Sequence, residues 1–405
     1  MNTPRLQSFR LKNFKAVQDS GTITFTPLTV FIGNNGSGKS SILEGLEMLY
    51  TLVTSDLDTA IVPWRDFRYI LNQAVPHEPK TKTVPRVRPY SANPMNFELR
   101  GQLEDKINGI YTLNVTDTPN GDELFIKQEI LRQTGRNVPF INFKRDDTGL
   151  VTGKYVIDTV EETIETKLQD GISLLNLSPS PFAYDLPLRT FIRNWQFVSL
   201  VPQKMGEPRR QRRATSRITL EKDGSNVAEY LLDIQKRDRD AFDGIVSTLQ
   251  QILPFSQDLQ MALTSELDRS IYPQITEGNF KVPGWLLSTG TLRILALLAL
   301  LRHPEPPPLI IIEEIENGLD PQSVRLIIGE MRNAIRDGKT QIIMTTHSPF
   351  LLDLVSLDHI VLVERIGGKP VFSRPGDNEQ LQQWAESFSL GTLYTAGKLS
   401  GQRAG

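Results

Sequence analysis

The spacing of apolar residues along the chain changes between a strand period and a helix period. Residues 6–32 alternate between apolar and polar positions and end in the apolar run LTVFI, which predicts two or three strands. A glycine-rich loop follows, and apolar residues recur at helical spacing from about residue 38 to 52. Residues 53–95 are rich in proline and basic residues, so we expect loops with short helices there.

A second region of alternation predicts an antiparallel sheet. The segments FELRGQL, IYTLNV and LFIKQEIL fall between residues 96 and 155, and turn-forming residues such as those at 119–122 separate them. Residues 158–196 are predicted to be mostly helical, and a basic segment follows at 203–217. The middle of the chain is therefore expected to be a sheet followed by helices.

The C-terminal half has the pattern of a parallel α/β sheet. Residues 226–253 have helical spacing, and strand-like and helix-like segments alternate from there to about His347. The segment HIVLVERIGGKPVFSR predicts a hairpin at 359–374 that turns at Gly367 and Gly368. The sequence shows no long heptad run, so a coiled coil is not expected.

The glycine-rich loop has the spacing of a phosphate-binding loop. FIGNNGSGKSS fits G-x-x-x-x-G-K-S, with a strand predicted before it and a helix after it. Glycines let backbone N–H groups turn toward phosphate oxygens, and the helix start adds partial positive charge. Lys39 is expected to reach the β- and γ-phosphates of ATP, and the Ser40 hydroxyl is expected to bind Mg²⁺. The predicted nucleotide-binding residues are Gly33, Asn34, Asn35, Gly36, Ser37, Gly38, Lys39, Ser40 and Ser41.

A second apolar run ends in two adjacent carboxylates. Residues 309–320 read LIIIEEIENGLD, so a buried strand is predicted to deliver Glu313 and Glu314 at its end. If this strand is parallel to the P-loop strand, Glu313 would bind Mg²⁺, through water because Mg²⁺ keeps much of its hydration. Glu314 would orient or deprotonate the attacking water. The alternative interpretation is that the strand simply ends at the surface, with both carboxylates hydrated. The presence of the P-loop favours the functional interpretation.

A third motif begins a long apolar helix. Residues 287–293 read LSTGTLR, and the apolar run ILALLALL follows. Leu-Ser-x-Gly at a helix start resembles the signature motif of ABC-type ATPases. The resemblance implies that Ser288, Thr289 and Gly290 contact the γ-phosphate bound to a second protomer. A serine N-cap on a buried helix is the alternative, and it would be favoured without the other two motifs.

Two further segments extend the resemblance. NGLDP, with Asp320, resembles the D-loop that lines the dimer seam in that family. QIIMTTHSP is an apolar strand that ends in His347 and resembles the switch histidine segment. The resemblance implies that His347 contacts the γ-phosphate and serves with Glu314 as a catalytic residue.

The chain as a whole resembles the AAA_21/AAA_15 group of ABC-type ATPases, relatives of SMC, RecF-like and OLD proteins. The opening segment LQSFRLKNFKAV and the segment KDGSNVAEYL resemble recurring parts of this group. Two positions depart from the usual pattern: the carboxylate pair is Glu-Glu instead of Asp-Glu, and the D-loop region reads Leu-Asp-Pro where Leu-His-Pro is frequent. A longer side chain at Glu313 can still reach a metal.

The resemblance implies a fold and an arrangement of segments. We expect an α/β protein with an ABC-type P-loop ATPase core, in which a mixed or parallel sheet packs with helices, plus an antiparallel β subdomain and a helical insert. The N-terminal part of the core with the P-loop is expected at 1–52 and a variable insert at 53–217. The C-terminal part of the core is expected at 218–375 and a tail at 376–405.

The composition excludes several kinds of function. The 405 residues include 45 basic and 47 acidic side chains, so no global positive field indicates nucleic acid. The chain has no cysteine, which excludes disulfides, thiolate catalysis and cysteine zinc sites, and only four histidines. No apolar run reaches the ~18 residues of a membrane span, and the N-terminus lacks a signal-peptide core. A cytoplasmic protein without membrane contact is therefore expected.

The resemblance implies an ATP- and Mg²⁺-dependent ATPase that forms a homodimer or higher homo-oligomer with ATP between protomers. Stand-alone members of this group often act beside a nuclease-like partner in anti-phage defence, so we expect a sensor or regulatory subunit with a separate nuclease or toxin effector. The chain itself is expected to lack a nuclease domain. The alternative is an SMC/RecF-like DNA-binding ATPase in DNA repair or maintenance, for which the basic segment KMGEPRRQRRATSR is the evidence.

Overall fold

The computed structural model describes residues 4–75, 93–103, 107–118, 121–135, 140–157, 160–176, 186–212, 218–265 and 268–399. The sequence predictions for 76–92, 119–120, 158–159, 177–185, 213–217 and 400–405 lie outside these residues. The chain forms two compact units. The first contains the described residues up to Trp195 together with Ile360–Asp377, and the second contains Gln196–His359 together with the described residues from Asn378 onward.

The first unit is built on a large antiparallel sheet. Its strands are β1 (Arg5–Phe14), β2 (Val17–Asp19), β3 (Ile23–Thr24), β5 (Met95–Gln102), β6 (Asn108–Asp117), β7 (Leu124–Thr134), β8 (Phe140–Arg145), β9 (Leu150–Ile157) and β10 (Val160–Lys167). They lie in the order β10-β9-β8-β7-β6-β5-β1-β2, and β3 pairs with β1. The antiparallel sheet predicted for 96–155 is therefore confirmed, and it continues directly from the N-terminal strand.

The P-loop strand of the first unit is the fully buried β4 (Leu28–Ile32). It pairs in parallel with β18 (Ile360–Ile366), and β18 pairs antiparallel with β19 (Lys369–Ser373), which confirms the predicted hairpin. The helices of this unit are α1 (Lys39–Thr54), α2 (Leu57–Ile61), α3 (Phe67–Ile70) and α4 (Pro187–Arg193). Helix α1 buries Ile42, Leu46 and Leu49, the face that its helical spacing predicted.

The prediction of a mostly helical segment at 158–196 is wrong over its first part. Residues 160–167 form strand β10, which pairs with β9 from Val160↔Ile157 to Lys167↔Leu150. The four-residue spacing of Val160 and Ile164 matches a helix, but the segment is rich in β-branched residues and finds a partner strand. Lys154 Nζ binds Glu161 Oε1 across the pair at 2.5 Å. Of the described residues in 158–196, only α4 is α-helical.

The second unit carries the parallel strands that the sequence predicted. The all-buried β16 (Leu309–Ile312) pairs in parallel with the all-buried β17 (Gln341–Thr346), as continuous apolar runs of parallel strands do. The helices of this unit are α5 (Pro202–Met205), α6 (Val227–Arg237), α7 (Arg239–Ile252), α8 (Thr289–Leu301), α9 (Pro321–Arg336), α10 (Pro349–Leu352), α11 (Glu379–Ser387) and α12 (Leu390–Thr395). The chain passes from the first unit to the second within β11 (Trp195–Val198).

A small antiparallel sheet precedes the signature segment. It contains β12 (Arg209–Arg210), β13 (Ser256–Leu263), β14 (Ser270–Glu277) and β15 (Phe280–Pro283) in the order β12-β14-β13, with β15 also on β14. The expectation of a parallel α/β alternation after residue 253 is therefore wrong for 256–283, because these strands are linked as hairpins. Among the described residues, each helix is too short or too polar to cross a lipid bilayer.

Candidate active site

The P-loop passes so close to the β18–β19 hairpin that two of its positions accept only glycine. A Cβ atom on Gly33 would lie 2.1 Å from the carbonyl oxygen of Val363 in β18. Gly38 is the N-cap of α1 with φ 113°, and a Cβ there would lie 2.9 Å from Cγ of Pro370. The loop thus packs directly against the hairpin. Gly33 and Gly38 are needed because no larger residue fits there, as well as for the backbone conformation of the loop.

Positive charge is held inside the curve of this loop. Lys39 is 5% exposed, and its Nζ donates to the carbonyl oxygens of Gly33 at 2.7 Å and Asn34 at 3.0 Å. Arg365 Nε donates to the carbonyl oxygen of Gly36 at 2.9 Å. The buried Ser37 hydroxyl has no hydrogen-bond partner among the described residues. A buried ammonium group, a helix N-terminus and an unused hydroxyl donor together suit an anion such as a nucleotide phosphate.

The remaining predicted P-loop residues differ in exposure. Ser41 is buried on the inner face of α1, whereas the exposed members of the loop are Asn34, Asn35, Gly36 and Ser40. The exposed Ser40 hydroxyl stands at the first turn of α1, where a phosphate-bound Mg²⁺ would be coordinated in a P-loop protein.

We predict that Gly33→Ala weakens nucleotide binding by ~10-fold or more, because the added methyl group must displace the carbonyl of Val363 and with it the loop. The measurement is a titration with a fluorescent ATP analogue. Gly329→Ala is the matched control, since a Cβ at that position of α9 meets nothing within 4 Å. Parental affinity in Gly33→Ala would show that the loop geometry does not govern binding.

The two predicted carboxylates follow directly after β16. Glu314 has a left-handed backbone with φ 47°, a conformation that is unfavourable for glutamate and is held only where the surroundings impose it. Its N–H donates to Thr345 Oγ1 on the neighbouring strand β17 at 2.9 Å. Thr345 therefore fixes the turn that aims the Glu314 side chain.

The Glu314 carboxylate lies between two side chains. Asn317 Nδ2 donates to Glu314 Oε2 at 2.6 Å, and His347 Nε2 lies 3.2 Å from Glu314 Oε1. Glu314 and His347 remain partly exposed, with side-chain exposures of 41% and 32%. The parallel pairing of β16 and β17 brings the two predicted catalytic residues together, because each follows the C-terminal end of its strand. The result is an oriented carboxylate that faces solvent.

Three residues of this cluster were missed from the sequence. They are Thr345, Glu316 and Asn317, each bonded to Glu314 or to the segment that contains His347. Asn317 and Glu316 belong to the quoted segment LIIIEEIENGLD, so the only signal was their position just after a carboxylate pair. Their partners depend on the left-handed turn at Glu314, which the residue types do not reveal.

The donor atoms predicted for Mg²⁺ fit that ion chemically. Ser40 and Glu313 are exposed residues that offer a hydroxyl and a carboxylate oxygen, and Mg²⁺ prefers oxygen ligands. Within the described ranges, no group of three or more His, Asp or Glu side chains could hold a metal ion by itself.

The signature segment is an exposed helix start. Ser288 is the N-cap of α8, and its Oγ accepts a hydrogen bond from Thr291 N at 3.1 Å. Ser288 and Thr289 are exposed. A Cβ on Gly290 would lie 2.9 Å from the carbonyl oxygen of Gly318, so the signature turn packs against the D-loop segment. The proposed role in a second protomer's site stays a prediction.

Asp320 has a definite structural role. It is the N-cap of α9, where its Oδ1 accepts hydrogen bonds from Gln322 N at 2.9 Å and Ser323 N at 3.1 Å. The Ser323 hydroxyl also donates to Asp320 Oδ2. This bond, with the two main-chain bonds, lowers the pKa of Asp320 below its ordinary value. Its predicted position at a dimer seam remains a prediction, and the helix cap explains the aspartate without it.

Two family models match the chain. Residues 195–353 match AAA_21, described as "AAA domain, putative AbiEii toxin, Type IV TA system". Residues 5–89 match AAA_15, described as "AAA ATPase domain". The first match contains the signature segment, the carboxylate pair and His347, and the second contains the P-loop. A comparison with curated proteins finds no match.

Solved structures of SMC heads resemble the whole chain. One is an SmcHead bound to the C-winged helix domain of ScpA, at 13% identity and TM-score 0.50, covering 91% of this chain and 96% of that one. Another is an Smc head with an extended coiled coil from Pyrococcus furiosus, bound to the C-terminal domain of ScpA, at 12% identity and TM-score 0.48, covering 95% and 100%. A third is the SMC head from Thermotoga maritima, at 14% identity and TM-score 0.41, covering 91% and 98%.

At these identities the structural likeness concerns the fold alone, and the SmcHead match at TM-score 0.50 carries it. The predicted fold class, a mixed α/β ABC-type P-loop core, is confirmed. The AAA ATPase descriptions imply nucleotide binding. With both family matches and the SMC-head fold, the chain resembles the ABC-type ATPases of the AAA_21/AAA_15 group.

Proposed function

We propose that the chain binds ATP with Mg²⁺ and hydrolyses it, with Glu314 orienting and deprotonating the attacking water. The observation that carries this proposal is the Glu314 carboxylate held between Asn317 and His347 on a strained turn. A general base must be fixed within reach of its proton, and this cluster fixes one while leaving it open to solvent. Phosphate release from ATP by the parent chain, compared with the same assay on Glu314→Gln, tests the proposal.

The other motif residues would bind and neutralise the nucleotide. Lys39 and the loop N–H groups would hold the β- and γ-phosphates. The carbonyl oxygens of Gly33 and Asn34 already hold the Lys39 ammonium group against the loop. Ser40 and Glu313 would each give an oxygen ligand to Mg²⁺, which when bound offsets the negative charge of the phosphates. His347 would contact the γ-phosphate and, because its imidazole also faces the Glu314 carboxylate, would connect the phosphate with the general base.

We further propose that two copies assemble with ATP between them. Ser288 and Thr289 stand exposed at the start of α8, where backbone N–H groups and the helix dipole can meet an anion from another chain. Trp285 and Leu286, just before them, are 46% and 68% exposed. Exposed apolar side chains next to a helix start that can bind an anion indicate that another protein covers this surface. A second copy of the chain would supply both an apolar surface and the phosphate of its bound ATP.

The proposed biological role is that of a sensor or regulatory subunit that controls a separate nuclease or toxin in anti-phage defence. The family description connects AAA_21 with a type IV toxin–antitoxin system, but it names the AAA domain itself as the putative toxin, so the separate effector rests on the resemblance to stand-alone members of the group. In this scheme ATP-dependent assembly and hydrolysis would determine whether the effector is held or released. Copurification of the tagged chain with a nuclease-like or toxin-like protein is the expected result.

The second candidate is an ATPase that clamps DNA, and the structure weakens its main argument. In the described part of the basic segment, Lys204 binds Asp223 at 3.0 Å and Arg209 binds Glu221 at 2.6 Å, while Arg212 also binds Glu221. These carboxylates offset charge that would otherwise attract phosphates. A DNA shift assay over a salt series separates the candidates, since strong salt-dependent binding would favour the clamp.

We predict that the pure chain does not cut DNA. In the part of the chain that the structure describes, no cluster of three or more acidic and histidine side chains could hold catalytic metal ions without a nucleotide. The measurement is incubation of plasmid and linear DNA with the protein, ATP and Mg²⁺ or Mn²⁺, with Lys39→Ala as the control. Cleavage that copurifies with the chain and survives Lys39→Ala would overturn the prediction of a separate effector.

A further inference from the structure

Glu316 connects the turn after β16 to the segment after β17. Its Oε1 accepts hydrogen bonds from Thr346 Oγ1 at 2.8 Å, His347 N at 2.6 Å and Ser348 N at 3.1 Å. Two of these donors are main-chain N–H groups, at His347 and at the residue after it. A single carboxylate oxygen thus fixes the backbone on which the histidine stands.

This fixed backbone determines where the imidazole lies. Ser348 N also lies 3.0 Å from Thr346 Oγ1, and Ser348 Oγ accepts from Leu351 N as the N-cap of α10. The segment therefore leaves β17 along one path, and His347 Nε2 ends 3.2 Å from Glu314 Oε1. Hydrogen bonds from N–H groups to an ionised carboxylate are about twice as strong as neutral ones. Removing the acceptor should therefore free the main chain at His347 and Ser348 to take other conformations.

We propose that Glu316 is a positioning residue of the ATPase, which holds the His347 backbone so that the imidazole faces Glu314. This inference rests on the proposed function. All three bonds are made by Oε1, whereas Oε2 is buried without a hydrogen-bond partner among the described residues. The side chain is therefore committed to the histidine segment, and it acts on the reaction only through His347.

The bonding pattern predicts which substitution preserves the role. Glutamine can place its carbonyl oxygen where Oε1 lies and keep an acceptor for the two main-chain N–H groups, with weaker bonds than the carboxylate makes. Alanine leaves two main-chain N–H groups and one hydroxyl without their acceptor. Because small misplacements of catalytic groups cost much rate, Glu316→Ala should lower kcat by ~10²-fold. KM for ATP should stay within about twofold, since the P-loop residues are unchanged.

The experiment measures kcat and KM for ATP in the parent, Glu316→Ala, Glu316→Gln, His347→Ala and the Glu316→Ala/His347→Ala double variant. Glu316→Gln should recover most of the lost rate. In the His347→Ala background, Glu316→Ala should cost little more, because residues that act as one unit are not additive. Thermal unfolding of each variant is recorded, and if Glu316→Ala does not fold, Glu316→Asp takes its place in the same cycle.

The outcomes separate this inference from the proposed function. If the parent releases no phosphate from ATP, or Glu314→Gln hydrolyses at the parental rate, the proposed function fails and the inference with it. If Glu314→Gln is inactive while Glu316→Ala keeps the parental kcat, the inference alone fails. A full multiplicative loss in the double variant also overturns it, because Glu316 would then act independently of His347.

Discussion

Glu314→Gln is expected to lower ATP turnover by ~10²-fold or more while ATP binding persists. Glutamine keeps the shape of the side chain and can still meet Asn317 and His347, but it cannot accept a proton from water. Steady-state phosphate release and a nucleotide titration measure the two effects separately. Glu379→Gln is the matched control, since Glu379 is an exposed carboxylate in the first turn of α11 of the same compact unit.

The same substitution should also make assembly visible. If hydrolysis ends the ATP-bound state, a chain that binds ATP without hydrolysing it should accumulate as a dimer or higher assembly when ATP and Mg²⁺ are present. Light scattering coupled to gel filtration, with and without ATP, measures this. Parental turnover in Glu314→Gln would show that Glu314 is not the general base. Loss of ATP binding would show that Glu314 acts in nucleotide binding instead of in hydrolysis.

Ser288→Arg is expected to abolish ATP-dependent assembly and to lower hydrolysis by ~10³-fold, the scale on which groups supplied in trans act. The bulky cation would stand at the exposed start of α8, where the partner's nucleotide is proposed to lie. ATP binding should persist, because the P-loop is untouched. Gel filtration, phosphate release and nucleotide titration together distinguish this result from general damage.

Ser389→Arg provides a close control for that experiment. Ser389 is an exposed N-cap of α12 whose Oγ accepts from Thr392 N at 3.3 Å, as Ser288 Oγ accepts from Thr291 N in α8. Both variants lose the same kind of helix cap, worth ~1 kcal/mol. If Ser389→Arg loses as much activity as Ser288→Arg, the loss reflects stability and not a role of the signature segment.

The sequence could predict those parts of the site that are local to one segment. The P-loop is a continuous strand, loop and helix, so residue types and spacing were enough to predict β4, the turn and α1. Glu314 was predicted from its place after an apolar strand, and His347 from its resemblance to the switch histidine. The structure shows that they meet because the parallel strands β16 and β17 end at the same edge. The structure adds a reason the motif did not contain, which is the contact of Gly33 with Val363 of β18.

Other parts could not be predicted because they depend on long-range pairing or on a single turn. Residues 160–167 carry a helix-like spacing, yet the partner strand β9 determines their conformation. Glu316 looks like one more acid after a strand. Its bond to His347 N belongs to a turn in which Glu314 has a left-handed backbone, and the residue types do not predict that conformation. The basic segment illustrates the same limit, since Arg209 and Arg212 are paired with Glu221, which lies nine or more residues away in sequence.

The most direct test of the shared site is a mixed dimer of Lys39→Ala and Ser288→Arg chains, coexpressed with different tags and purified through both. Each chain alone should be inactive. In the mixed dimer, the P-loop of the Ser288→Arg chain meets the signature segment of the Lys39→Ala chain, so one of its two composite sites is whole. We expect ATP turnover of up to about half the parental rate per dimer, because one of two symmetry-equivalent sites is whole. A folded mixed dimer that hydrolyses no more ATP than either variant alone would contradict it.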